Sequence, residues 1–228
     1  SQVKDELEKF TYAASHDLKE PLRNIMSFSG LLHKRLSKKY QDTELAEYSN
    51  FIIQGTRQMY DTIIGILEFS AVNTYPTQLT SVNLNEVIHN TLISLETIMN
   101  DKNGAIHFNS QLPDAIITNE SYVRLIFKNL IENSITYNES ETPTVNIDYE
   151  QTEHYHAFKI SDNGIGIDKK YHNYIFNMFK RLHARDDYQG TGMGLSITKK
   201  LVEALNGSIS IEKSSEEGST FVFALPKN

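Results

Sequence analysis

Apolar positions recur at threes and fours through the first third of the chain. Leu7, Phe10, Ala14, Leu18, Ile25, Phe28 and Leu32 form one stripe, the polar stretch from Ser37 to Asp42 interrupts it, and Leu45, Tyr48, Ile52, Met59, Ile63, Ile66 and Phe69 resume the spacing. The pattern predicts two long helices folded as a hairpin. Two amphipathic helices of this length cover only part of each other's apolar faces, so pairing two hairpins into a four-helix bundle is the simplest way to bury the rest. A homodimer is therefore expected. Pro21 removes one intrahelical hydrogen bond and crowds the carbonyl of Asp17, which predicts a bend just after His16.

The helical pattern stops near Asn73-Thr-Tyr-Pro76, and the polar stretch from Thr77 to Val82 reads as a linker. Beyond it, Asn83 to Asn100, Glu120 to Tyr137 and Leu195 to Leu205 carry helical periodicity. Ile106 to Leu112, Thr144 to Gln151 and Tyr155 to Ile160 favour strands, and a turn at Gly207 leads into a closing pair, Ser208 to Glu212 with Thr220 to Leu225. Interleaved helices and strands imply an α/β layer structure. The expected organisation is a helical domain over 1–76, a linker over 77–82 and an α/β domain over 83–228.

Composition narrows the class. Hydrophobic residues make up 39% of the chain and charged residues 22%, ordinary for a globular protein, and no apolar run approaches the roughly 20 residues needed to cross a bilayer. Ser1-Gln-Val-Lys-Asp-Glu6 lacks the apolar stretch of a signal peptide. Zero cysteines exclude disulfides and thiol chemistry and fit a reducing cytoplasm, where the chain is expected to act. A formal net charge of -7 argues against a general nucleic-acid binder.

Four short motifs carry candidate chemistry. His16 stands beside Asp17 on a helix; a neutral imidazole can attack phosphorus, and a neighbouring carboxylate can hold its tautomer or accept its proton. Arg23 either favours a bound phosphate or sits on a solvated helix face. Asn129 and Asn133, four residues apart, share a helix face, and an asparagine oxygen is a hard neutral ligand suited to Mg²⁺. Asp162-Asn-Gly164-Ile-Gly166 follows a strand: its carboxylate can accept an exocyclic amine while its glycines let the backbone turn tightly, although Asn-Gly is also a hairpin signal. Gly190-Thr-Gly192-Met-Gly194 opens a helix, where free backbone amides favour phosphate. It lies late in the chain, outside a βαβ unit, and lacks the spacing of a Walker A loop. His154 and His156 share one face of a strand, but no third metal ligand is evident nearby.

Taken in order, these motifs resemble the H, N, G1 and G2 boxes of sensor histidine kinases over nearly the whole chain. The run Phe179-Lys-Arg-Leu-His-Ala-Arg-Asp186 is similar to kinases of the phytochrome-related group. The resemblance implies a dimeric four-helix bundle built from the helical hairpin, followed by an α/β sandwich of the GHKL (Bergerat) ATP-binding fold. It implies His16 as phosphoacceptor assisted by Asp17, Asn133 as Mg²⁺ ligand, Asn129 and Tyr137 along the phosphates, and Asp162 reading adenine with Gly164, Gly166 and Asn163 around it. Gly190, Gly192 and Gly194 would hold phosphate, and Thr220 would close the pocket. A mobile lid would be anchored by burial of Phe176 and Phe179, with Lys180 or Arg181 neutralising γ-phosphate charge.

The chain departs from the family pattern at Ser134, where alanine is usual, and at Thr136, where lysine is frequent. Glu20 occupies the place of a phosphatase threonine or asparagine, implying weak removal of phosphate from a regulator. The implied partners are a second copy of the chain, a response regulator receiver domain and a sensor domain upstream of this sequence. The rival readings are a pseudokinase scaffold and a conformational ATPase like the gyrase, mismatch-repair and chaperone relatives.

Overall fold

The computed structural model describes residues 18–19, 21–34, 43–72, 78–182 and 191–227. His16, Asp17, Glu20, Gly190, the expected bend after His16 and the turn from Ser37 to Asp42 lie outside the described residues. The chain divides into two compact units, Ser1–Thr74 and Tyr75–Asn228.

In the first unit a helix over 21–34 (α1) is followed by α2, Thr43–Ala71. The two lie against each other as a hairpin: His33 Nδ1 and Ser49 Oγ share a hydrogen bond of 2.6 Å, and Lys19 Nζ stands 5.9 Å from the centre of the Tyr60 ring. Leu22, Ser49, Thr56 and Ser70 are buried, whereas Ile25, Phe28, Leu31, Leu32, Phe51, Ile52 and Met59 face outward from the single chain.

The second unit opens with β1, Thr80–Asn83, which pairs antiparallel with β3, Ala115–Thr118. Residues 80–82, assigned above to the linker, are thus part of a strand. Only Val82 of β1 is buried, and so short an alternation is easily read as polar loop. Asn83 then caps α3, Leu84–Asp101, its side chain accepting from the N–H groups of Asn85 and Glu86. β2, Ala105–Phe108, is shorter than its apolar pattern suggests. Asn119 caps α4, Glu120–Thr136, by accepting from the Tyr122 N–H. β4, Thr144–Gln151, β5, Tyr155–Asp162, α5, Gly194–Ala204, β6, Ser208–Ser215, and β7, Gly218–Pro226, complete the unit.

The main sheet runs β2-β4-β5-β7-β6, with β2 parallel to β4 and the other pairs antiparallel. Alternation along β7 sends Phe221, Phe223 and Leu225 inward; β5 contributes Phe158 and Ile160, and β4 contributes Val145 and Ile147. Across from them α4 presents Val123, Ile126, Phe127, Leu130, Ile131 and Ile135, the spacing of one helix face, and α5 presents Ile197, Leu201 and Val202. Phe127 sits edge-on to Phe158 at 5.5 Å and to Phe223 at 5.3 Å, while Phe158 and Phe223 stack at 4.9 Å. Burying each such ring contributes about 1.5–3 kcal/mol. This core fixes α4 against the sheet, and α4 carries the site.

Candidate nucleotide site

One end of the site is built where α4, the end of β5 and the start of β7 meet. Asp162 closes β5, and its Oδ1 accepts from the backbone N–H groups of Gly164 (2.9 Å) and Ser219 (3.0 Å). Its Oδ2 accepts from the Ser134 hydroxyl at 3.3 Å. Burial pushes the Asp162 carboxyl above its ordinary value, and the three hydrogen bonds oppose that rise. A buried carboxylate with one oxygen filled by amides and the other less committed suits an amine donor.

The glycines around it are dictated by close approach. A Cβ on Gly164 would stand 2.5 Å from the Tyr137 carbonyl, the same carbonyl that accepts from the Ile165 N–H at 3.2 Å. The end of α4 therefore has an orphan carbonyl satisfied by the G1 turn. Gly166 has φ +70°, and a side chain there would collide with the Ser215 carbonyl; Gly218 has φ +124° and lies against the Asp162 carbonyl.

The other end is built on the start of α5. Unlike α3 and α4, this helix gets no hydrogen bond from the side chain of its N-cap residue, Met193, and its first amides and the positive end of its dipole suit an anion. Asn129 ties this turn to α4: its amide donates to the Gly194 carbonyl and to Thr198 Oγ1, both at 3.2 Å. Gly192, at φ +71°, passes close to the Lys180 carbonyl and the Arg181 side chain, which sets Arg181 beside the glycine loop. Asn133 is half-buried one turn along α4 from Asn129. Asn129 to Tyr137 spans ~12 Å of helix, which joins the two ends of the site.

Three expectations are corrected. Asn163 does not line the pocket: its Oδ1 accepts from Asn138 Nδ2 (2.8 Å) and the Thr144 N–H (2.7 Å), and its Nδ2 donates to the Thr142 carbonyl (3.1 Å). Its amide clasps the loop between α4 and β4. Thr220 is not brought to Asp162; it lies on the sheet face opposite Phe221 and Phe223, where its hydroxyl meets Ser161 Oγ at 3.0 Å. The backbone N–H of its neighbour Ser219 meets the carboxylate instead, while the Ser219 hydroxyl is shared with Ser214 Oγ at 2.8 Å. Phe179 is 51% exposed at φ +61°, so it does not anchor the lid by burial; Ile175 is buried in that segment, and Phe176 packs edge-on to Phe221 at 6.5 Å.

Ser134 and Ser219 are the partners that pattern reading passed over. Ser134 was visible only as a departure from alanine, and Ser219 only as the residue after a glycine. His156 is taken up by Tyr149, whose hydroxyl lies 2.8 Å from its Nδ1, and no cluster of three or more metal-ligating side chains occurs among the described residues.

Residues 118–228 match the family of histidine kinase-, DNA gyrase B-, and HSP90-like ATPases. Over 221 residues, 97% of this chain, the sequence is 37% identical to phytochrome-like protein Cph1 of Synechocystis sp., but it spans only 29% of that protein's length. Full-length ShkA, solved in complex with AMPPNP, superposes with a TM-score of 0.74 at 20% identity, over 96% of this chain and 46% of ShkA. Histidine kinase ThkA, solved in complex with response regulator protein TrrA, gives a TM-score of 0.68 at 22% identity, over 99% of this chain and 64% of ThkA. The α/β unit thus has the GHKL ATPase fold. The chain belongs to the sensor histidine kinases, as a catalytic core of the phytochrome-related group. No helix among the described residues is long and apolar enough to cross a membrane.

Proposed function

We propose that this core binds ATP with Mg²⁺, transfers the γ-phosphoryl group to His16, and passes it on to an aspartate of a response regulator receiver domain. The observation that carries the reading is that one helix, α4, joins a buried carboxylate with an acceptor to spare to a helix start with no side-chain cap from Met193. Asp162 accepts the adenine amine. The α5 amides, Gly192 and Gly194 hold phosphate, with Gly190 completing the loop, while Asn129, Tyr137 and Arg181 border it. Asn133 offers a neutral oxygen to Mg²⁺, which supplies charge neutralisation of the phosphates when bound. Asp17 orients His16 or takes its proton. Catalysis rests on positioning and on screening charge.

The outward apolar face of the hairpin supports a homodimer through a four-helix bundle. ThkA, solved with a response regulator, supports the class of phosphoryl acceptor. A sensor domain upstream, and action in the cytoplasm, complete the reading. The test is incubation with γ-labelled ATP and Mg²⁺. Label retained on the wild type should be acid-labile and base-stable, as a phosphoramidate is, and absent from His16→Gln, which should still bind ATP. Label on that variant would overturn the assignment.

A further inference from the structure

The helix that carries Asn129 and Asn133 also places a hydroxyl, Ser134, at the Asp162 carboxylate. Ser134 is 3% exposed, in the fourth turn of α4, and its Oγ donates to Asp162 Oδ2 at 3.3 Å. Oδ1 of the same carboxylate is occupied by the Gly164 and Ser219 amides. Both backbone donors hold Oδ1, so without Ser134 neither of them would restrain Oδ2. A third donor on that oxygen supplies the restraint and fixes where the remaining lone pair of Oδ2 points.

We propose that Ser134 is a positioning residue that fixes Asp162 Oδ2 for a 6-amino purine and thereby sets the base selectivity of the site. The inference rests on the reading of Asp162 as the adenine acceptor. Because the Ser134 proton is committed to the carboxylate, that edge of the pocket presents acceptors only. A 6-amino group meets a lone pair held in place, whereas a 6-oxo group meets lone pairs with no proton to share. The hydroxyl also stands on the helix that carries Asn129 and Asn133, so base reading and phosphate handling share one rigid element.

The experiment is calorimetric titration of the full 228-residue chain with ATP, ADP and inosine triphosphate, which replaces the 6-amine by an oxo group. Ser134→Ala should weaken ATP and ADP by a common factor of about ten, the scale of one lost hydrogen bond to a charged group, and leave inosine triphosphate unchanged. The preference for ATP then contracts by the same factor. Ser134→Thr, which keeps the hydroxyl, should retain the preference even if its extra methyl lowers the melting temperature. Equal weakening of ATP and inosine triphosphate by Ser134→Ala would mean the hydroxyl only supports the fold, and an unchanged ATP affinity would mean it has no part in the site; either result overturns the proposal. Asp162→Asn is titrated alongside. If that variant keeps full ATP affinity, the underlying reading of Asp162 fails, a result distinct from one in which Asp162→Asn loses ATP and Ser134→Ala does not.

Discussion

The two units of this chain treat their large apolar side chains in opposite ways. In the α/β unit Phe127, Phe158 and Phe223 are 0% exposed and touch one another, so the core is closed within one chain. In the helical unit Phe28 is 71% exposed and Phe51 is 69% exposed, on helices where Leu22, Ser49 and Thr56 are buried. A sheet backed by helices can complete its own interior, whereas two helices cannot surround anything. Stability in the α/β unit rests on contacts within the chain, whereas the helical unit leaves apolar side chains that the proposed dimer would cover.

The sharpest way to break that contrast is to truncate one phenylalanine in each unit. Phe158→Ala should destabilise the α/β unit by about 3–5 kcal/mol, read as a melting transition whose shift does not depend on protein concentration. Phe51→Ala should leave the α/β transition in place and act on the dimer, with a dissociation constant raised by roughly ten-fold or more in sedimentation equilibrium, since each protomer loses about 1.5–3 kcal/mol of apolar burial. A concentration-independent loss of helix signal in that variant would show that the hairpin is complete by itself.

Asp162→Asn tests whether the closed unit carries its function on a replaceable group. Asparagine can keep accepting from Gly164 and Ser219 through one oxygen while its amide donates to Ser134, so the fold should survive. The adenine amine would then face another donor, and ATP and ADP should both bind about 100-fold more weakly by calorimetry, at a loss of ~3 kcal/mol.

The smallest effect is in pH. Burial raises the folded-state pKa of Asp162 above its ordinary value of about 3.9, so between those two values the folded chain holds a proton that the unfolded chain has released. Stability of the ligand-free protein should therefore fall as pH rises through that window, while ATP affinity rises, because the ionised carboxylate is the stronger acceptor and has no proton to present to the amine. Asp162→Asn should remove both slopes in melting and titration series. Parallel slopes, with stability and affinity rising together, would contradict the assignment.

Much of this architecture was legible from periodicity. The α4 stripe from Val123 to Ile135 and the alternation of Phe221, Phe223 and Leu225 announce one-sided burial, and their strength reflects how much apolar area they must hide. β1 and β3 escaped because four-residue strands with one or two buried positions leave too short a signal. In the site, glycines were readable as punctuation, since Gly166 and Gly192 take positive φ that other residues resist. Which neighbour reaches the carboxylate was not readable from the motif. Ser219 meets it through its backbone N–H, a group every non-proline residue carries, so no side chain in the motif marks the contact. Asn163 shows the same difficulty from another side, because a polar residue in a binding motif can be wholly spent on holding a loop.

That clasp also bears on how the molecule ages. Asn163-Gly164 is the kind of pair that in a loose chain closes to a succinimide and deamidates, since glycine places no side chain in the way of its nitrogen attacking the asparagine carboxamide. Here the Asn163 amide is held at both ends by Asn138, Thr142 and Thr144, and the Gly164 nitrogen is turned toward Asp162. Attack would require breaking all of these contacts at once. The fold is thus its own preservative at this dipeptide, and the spontaneous lesion should accumulate in unfolded chains and spare native ones.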